Sequence, residues 1–177
     1  IRDLDWFCHG ESSCFRVVSQ RGAAGIDGSV SMALGVASSH TSRTTLLVGD
    51  SAFLHDVGAL NIAAAARAPL RIVVVNNNGG RIFEKLPVAR HEEFRELLDP
   101  WFVMPHGLNI SNIAGSFGVH ATRVETACEL RDVLADRALD DRPSVVEALI
   151  DPAVSKKHYG LLENASKLAA DQLRDKD

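Results

Sequence analysis

The chain has 177 residues, 46% of them hydrophobic, with a mean hydropathy close to zero, enough to bury a full core and to set one compact α/β-sized domain as the starting expectation. Its 19 basic and 23 acidic residues leave a net charge of −4 with no long single-sign block, which argues against a nucleic-acid binder or a membrane-surface protein. No apolar run reaches membrane-spanning length, and Cys8, Cys14 and Cys128 form neither a CxxC pair nor a zinc-spaced cluster, so they read as reduced intracellular thiols.

Taken in chain order, "IRDLDWFCHG" opens mid-pattern without a methionine, as expected of a piece of a longer polypeptide whose targeting segment, if any, lies elsewhere. Short β-branched runs then alternate with helical patterns, the sequence form of a doubly wound, mostly parallel sheet with helices on both faces. The spacing predicts strands over 15–19, 44–49, 70–76, 119–124 and 144–150. Helices are predicted over 28–39, with Asp27 as N-cap, and over 53–67, an alanine-rich segment stopped by Pro69. Three more are expected over 91–98, 110–117 and 126–139, and an amphipathic one over 160–175. Residues 1–155 form the expected domain, with 156–177 its helical tail or a linker. One interval breaks the alternation: residues 79–109 make a connection far longer than the usual βα loop. Long connections at the C-terminal edge of a parallel sheet are where sites are built.

Two segments arrive at that edge. The strand at 44–49 runs into "GDS" and delivers Asp50, and the strand at 70–76 runs into "NNNGG". A carboxylate, neutral amide oxygens and a backbone carbonyl at Gly79 form an all-oxygen set suited to a hard cation such as Mg²⁺, or Mn²⁺, rather than zinc. One carboxylate is too little to hold Mg²⁺ tightly, so phosphate oxygens and water should complete its shell, which implies a phosphorylated cofactor lying against a helix N-terminus. Each fragment also has a plainer reading, in which Asp50 caps a helix and the asparagines form turns with Gly79 and Gly80 at positive φ. The separation favours the cofactor: Asn77 follows Asp50 by 27 positions (50 to 77), strand end to strand end around one helix. That arrangement resembles the thiamin diphosphate binding motif, although Ser51 stands where glycine is commonest. There is no GxxxxGK[ST], and "GAAGIDG" is not GxGxxG, so a Walker or dinucleotide site is poorly supported.

"RGAAGIDG" (21–28), "GDSAFLHDVGAL" (49–60), "NNNGGRIFEKLP" (76–87) and "FVMPHGLN" (102–109) together resemble the C-terminal, diphosphate-binding domain of the MenD family, the 2-succinyl-5-enolpyruvyl-6-hydroxy-3-cyclohexene-1-carboxylate synthases of menaquinone and phylloquinone biosynthesis. The resemblance implies Asp50, Asn77 and the Gly79 carbonyl as metal ligands, and Gly49, Ser51 and Ala52 as neighbours of the diphosphate. It implies Ile26 as the apolar residue beneath the bent cofactor, and Ile82, Phe83 and Leu86 as the pocket lining. Arg21, and with it Arg2, would receive the carboxylates of 2-oxoglutarate and isochorismate, which the family joins with loss of CO₂. The activating glutamate belongs to a separate pyrimidine-binding domain supplied by a partner subunit, so these residues alone are expected to be inactive and the active protein to be a homodimer or homotetramer. A bacterial source would place it in the cytoplasm and a plant or algal one in the plastid. An acetolactate-synthase-like decarboxylase or carboligase, or a non-catalytic domain kept for assembly, are the alternatives. His55, His91 and His106 read as ordinary histidines.

Overall fold

A computed structural model describes residues 16–19 and 25–174. The sheet, among the described residues, has four strands: β1 (Thr44–Gly49), β2 (Leu70–Asn76), β3 (His120–Val124) and β4 (Ser144–Leu149). They are parallel throughout, in the order β1-β2-β4-β3. The two central strands carry the long buried runs expected of strands covered on both sides.

The chain winds outward from β1 to β2 to β3 and then turns back to β4. A crossover keeps its right-handed sense on reversing direction only by moving to the opposite face, and the helices are distributed accordingly. The helices α1 (Ser29–Ser38), α2 (Asp50–His55), α3 (Ala59–Ala66) and, after β2, α5 (Ile110–Ser116) meet one face. There Val30, Ala33, Phe53, Leu60, Ala63, Ile110 and Ala114 pack against Val48, Ile72, Val74 and Val145 in the main core. Helix α6 (Ala127–Ala135) meets the other face, where Leu130, Val133 and Leu134 cover Val73, Val124, Val146 and Ala148. The expected α/β fold with helices on both faces is thus present.

Several boundaries differ from the sequence expectation, each for a local reason. The run 15–19 supplies no strand in its described part: Val17 and Val18 are 75% and 50% exposed and pair with nothing in the sheet. Helix α1 is entered through Gly28 at φ 70, which takes the N-cap position assigned to Asp27. The alanine-rich helix begins three residues early, at Asp50, and divides at Asp56-Val57-Gly58. Asp56 turns its carboxylate to the backbone N–H (2.7 Å) and hydroxyl (2.9 Å) of Ser31, tying the break to α1. Its second half ends at Ala66 through Arg67 in the left-handed conformation, before Pro69 is reached. Helix α6 stops at Ala135, short of 139, because the buried Arg71 guanidinium takes the carbonyls of Val133, Leu134 and Asp136 at 2.7 to 3.2 Å. A cation on those last carbonyls satisfies the orphan acceptors and complements the helix dipole.

The connection between β2 and α5 contains only short pieces. Three 3₁₀ turns precede α4 (Arg95–Leu98), and a π turn (Asp99–Val103) follows it. The last helix, α7 (Pro152–Arg174), starts earlier than expected, and Val154, Leu161, Leu162 and Leu168 along it are exposed. No helix among the described residues is long and apolar enough to cross a membrane.

Candidate metal and cofactor site

Register brings the site together. Gly49 of β1 lies opposite Val75 of β2, so Asp50 leaves the sheet level with Asn76, and the turn 77–79 emerges beside it. Asp50 is the first residue of α2 and is buried. Its Oδ1 accepts the Ser51 N–H at 2.7 Å, and its Oδ2 accepts the Gly79 N–H at 2.8 Å. The two strand ends are therefore joined directly by the carboxylate.

The second strand end is shaped by its glycine. Gly79 has φ 116, and a Cβ there would sit 2.3 Å from the Val103 carbonyl oxygen and 3.0 Å from that of Met104. No side chain fits, so the turn is pressed against the end of the long connection, and Gly80 donates its N–H to Val103 at 2.7 Å. The Gly79 carbonyl accepts the Arg81 N–H at 2.8 Å, and the Asn77 carbonyl accepts Arg81 Nε at 3.2 Å. Arg81 in turn pairs with Glu84 at 2.9 Å, which keeps its guanidinium over the turn.

The three asparagines have three different environments. Asn76, buried at the end of β2, donates through Nδ2 to Glu147 at 2.7 Å and accepts the Asn78 N–H through Oδ1 at 3.0 Å. Asn78 sits at φ 62, a conformation asparagine tolerates better than most residues, and its Oδ1 accepts the Gly107 N–H at 2.8 Å. Asn77 is half-buried between them, and its side chain has no hydrogen-bond partner among the described residues.

Two residues outside the expected site complete the arrangement, one of them His106, which reads in sequence as an ordinary histidine. His106 places Nε2 3.1 Å from Asp50 Oδ2, while its Nδ1 accepts the Leu108 N–H at 3.0 Å. An acceptor at Nδ1 puts the proton of the neutral ring on Nε2, so His106 donates to the Asp50 carboxylate. Glu147, fully buried in β4, also accepts the Ser111 N–H at 3.0 Å, the Ser111 hydroxyl at 2.8 Å and the Ile110 N–H at 3.3 Å, all at the start of α5. Burial pushes its carboxyl up, but the Ser111 backbone, the Asn76 amide, the Ser111 hydroxyl and the Ile110 backbone together hold it below the usual glutamate range. His106 had no signal in sequence beyond its place in "FVMPHGLN". Glu147 reads there as one more residue of a buried strand.

The remaining expected residues lie around this centre or outside it. Gly49 is the extended residue before α2, and Ser51 and Ala52 are the next two positions of its first turn, half-buried. That turn, and not one at residue 53, is the helix start beside Asp50. Ile82, Phe83 and Leu86 are exposed on the first turn of the long connection, where Phe83 meets Phe102 edge-on at 5.8 Å. Ile26 is exposed just before α1. Arg2 and Arg21 lie outside the described residues. A separate open cleft of about 490 Å³ lies on the far side of the 76–79 turn, at the ends of β3 and β4, lined by Asn76, Asn78, Gly107, Asn109, Arg123 and Asp151. Neither Asp50 nor Asn77 borders it.

The donor set suits a hard divalent cation. It holds one buried carboxylate, one amide oxygen with no protein partner among the described residues, and one carbonyl whose second lone pair is still available. No group of three or more His, Cys, Asp or Glu side chains that could hold a metal occurs among the described residues. A single carboxylate with neutral oxygens is the composition that leaves room for phosphate oxygens to share the ion.

Comparison with known proteins agrees with this geometry. Residues 10–148 match the family model described as "Thiamine pyrophosphate enzyme, C-terminal TPP binding domain". The 2-succinyl-5-enolpyruvyl-6-hydroxy-3-cyclohexene-1-carboxylate synthase of Sorangium cellulosum is 44% identical over 86% of this chain and 25% of its own length. That of Myxococcus xanthus is 42% identical over 85% of the chain and 25% of its length. The chain thus spans about a quarter of the curated relatives it matches. Among solved structures, the thiamine diphosphate-dependent 4-hydroxybenzoylformate decarboxylase of Rhodococcus jostii shares the fold, with a TM-score of 0.53 and 24% identity over 67% of this chain and 22% of that one. The expected resemblance to the MenD-type domain holds, and the chain belongs to the C-terminal, thiamine pyrophosphate (thiamin diphosphate)-binding domain family of thiamine pyrophosphate enzymes.

Proposed function

We propose that this chain is the diphosphate- and metal-binding domain of a 2-succinyl-5-enolpyruvyl-6-hydroxy-3-cyclohexene-1-carboxylate synthase, acting on 2-oxoglutarate and isochorismate. The observation that carries the reading is the convergence of Asp50, Asn77 and Gly79 at two adjoining strand ends, in a chain 44% identical to a synthase of that name. Asp50, Asn77 and the Gly79 carbonyl would hold Mg²⁺ or Mn²⁺, whose charge would offset that of a diphosphate beside them. Without the ion, Asp50 would repel that anion, and with it the contact becomes attractive.

When bound, thiamin diphosphate supplies the electron sink that lets a 2-oxo acid lose CO₂ and form a new carbon–carbon bond. The chain's own part is binding, orientation and exclusion of water. Gly49, Ser51 and Ala52 would border the diphosphate, and Ile26 would give the cofactor an apolar support. Ile82, Phe83 and Leu86 give the reacting end an apolar wall once a second domain closes over it, which accounts for three large apolar side chains left exposed side by side. Arg21 and Arg2 take the substrate carboxylates, for which a guanidinium fork is the matching receptor.

The activating glutamate comes from a pyrimidine-binding domain of a partner subunit, so activity requires a homodimer or a higher assembly such as a homotetramer. The isolated chain is inactive. For a bacterial source, as with the relatives above, the compartment is the cytoplasm, and for a plant or algal source it is the plastid.

The test is a substrate comparison in the full-length protein. CO₂ release that needs both 2-oxoglutarate and isochorismate, with Arg21→Ala raising KM for the carboxylate substrates, supports the assignment. Turnover of pyruvate with no use of 2-oxoglutarate would replace it with an acetolactate-synthase-like activity.

A further inference from the structure

The 77–79 turn is held from below by a carboxylate that bonds to none of the three proposed ligands, Asp50, Asn77 and Gly79. Glu147 lies one residue pair before the end of β4, opposite Val74, while Asn76 lies opposite Leu149. Glu147 and Asn76 meet diagonally on the same face of the sheet, at 2.7 Å. The four groups around the carboxylate are all donors: the Asn76 amide, the Ile110 and Ser111 N–H groups and the Ser111 hydroxyl. A carboxylate can only accept, so it dictates which end of the Asn76 amide faces it. Nδ2 must point at Glu147, and Oδ1 is thereby aimed at the Asn78 N–H, 3.0 Å away.

The consequence reaches the metal side by a continuous path. The Asn78 N–H is the first donor of the turn, and with it satisfied Asn78 takes φ 62 and Gly79 φ 116. Asn78 Oδ1 then holds the Gly107 N–H at 2.8 Å, next to His106, which donates to Asp50. Asn77, between the two fixed asparagines, is left with its amide uncommitted among the described residues.

We infer that Glu147 is a positioning residue for the metal: by fixing the orientation of the Asn76 amide it sets the 77–79 turn in its ligating shape. The inference rests on the assignment of Asp50, Asn77 and Gly79 as metal ligands. A neutral isostere exposes it. In Glu147→Gln, an oxygen facing Asn76 leaves an N–H facing the Ser111 N–H. An N–H facing Asn76 instead forces its amide to flip and sets Nδ2 against the Asn78 N–H. Outer residues that orient metal ligands typically change metal affinity by about 10- to 100-fold.

The experiment titrates Mg²⁺ into the full-length protein at fixed thiamin diphosphate, reading binding heat, with thermal stability measured in parallel. Glu147→Gln should raise the half-saturating Mg²⁺ by on the order of tenfold. Asn76→Ala, which removes the link and leaves Glu147 with its α5 donors, should do the same and covers the case in which the first variant fails to fold. Ser111→Ala should lower stability while leaving the Mg²⁺ midpoint near wild type. The exchange Asn76→Asp with Glu147→Gln restores a donor–acceptor pair of opposite polarity, keeps an acceptor on the Asn78 N–H, and should recover most of the affinity. Wild-type midpoints in both Glu147→Gln and Asn76→Ala, or a loss in Ser111→Ala equal to theirs, would overturn the inference while leaving the metal assignment standing. A wild-type protein whose cofactor binding ignores Mg²⁺ overturns the metal assignment, and the inference with it.

Discussion

At the scale of single residues, the site is a set of oxygens held still by backbone N–H groups, and two positions admit little change. Gly79 combines φ 116 with a Cβ position 2.3 Å from a backbone oxygen. Gly79→Ala therefore has to move the Val103 carbonyl as well as strain its own backbone, and about 1–3 kcal/mol of stability should be lost in urea denaturation. Glu147 makes a pH prediction. Its folded carboxyl is held below the ordinary value of 4.5, so its stabilising contribution is present above that value and is lost as pH falls through the lower folded one. Glu147→Gln should flatten the acid limb of the stability–pH curve, measured by thermal melts from about pH 6 downward through and below the ordinary glutamate range. An acid limb as steep as that of wild type would place the pH dependence elsewhere. Asp50, Asn77 and Gly79, the proposed ligands, stand out in the sequence by their types and by the 27-position spacing (50 to 77). Asn76, Asn78, His106 and Glu147 do not, because what they do depends on partners up to 71 positions away.

At the scale of elements, all four strands of the sheet were legible, the edge strands β1 and β3 as well as the central pair. Buried on both faces, β2 and β4 read as unbroken β-branched runs. "FRVVS" has the same look, yet its described residues lie outside the sheet, because a short apolar run records burial potential and not the neighbour that would realise it. The division of the alanine-rich helix at 56–58 was equally hidden, since Asp56 is drawn off by Ser31 of another helix. Helix α6 starts with a full capping box, Thr126 accepting the Glu129 N–H at 3.2 Å and Glu129 accepting the Thr126 N–H at 3.0 Å. Thr126→Ala should cost about 1 kcal/mol, checked by chemical denaturation, with cofactor binding untouched because α6 lies on the face away from α2. Phe53→Ala, on the other face and three residues from Asp50, should cost about 3–5 kcal/mol and weaken cofactor binding as well, since the fully buried ring anchors α2 against the sheet.

At the scale of the whole molecule, the fold gathers chemistry at one edge and leaves it open. Four parallel strands end together there, and two of them deliver the proposed ligands. The long connection was legible by its length, and the helix expected over 91–98 is present as the 3₁₀ turn 92–94 and α4; the other one-turn pieces were not, since they have no sustained period. That connection leaves Phe94, Leu97, Trp101, Phe102 and Met104 exposed, as it does Ile82, Phe83 and Leu86, with Phe83 and Phe102 in edge-on contact. In the proposed function the activating glutamate belongs to a second domain. The isolated chain should accordingly show no steady-state turnover of 2-oxoglutarate with isochorismate, and addition of a pyrimidine-binding domain should restore it. Appreciable turnover by the chain alone would contradict the two-domain account. The central claim, that "GDS" and "NNNGG" form one metal-dependent cofactor site, is tested most directly by calorimetric titration of thiamin diphosphate into the full-length protein with and without Mg²⁺, beside Asp50→Ala. Binding that requires Mg²⁺ and disappears in Asp50→Ala is the predicted result; binding indifferent to both the metal and Asp50 would contradict it.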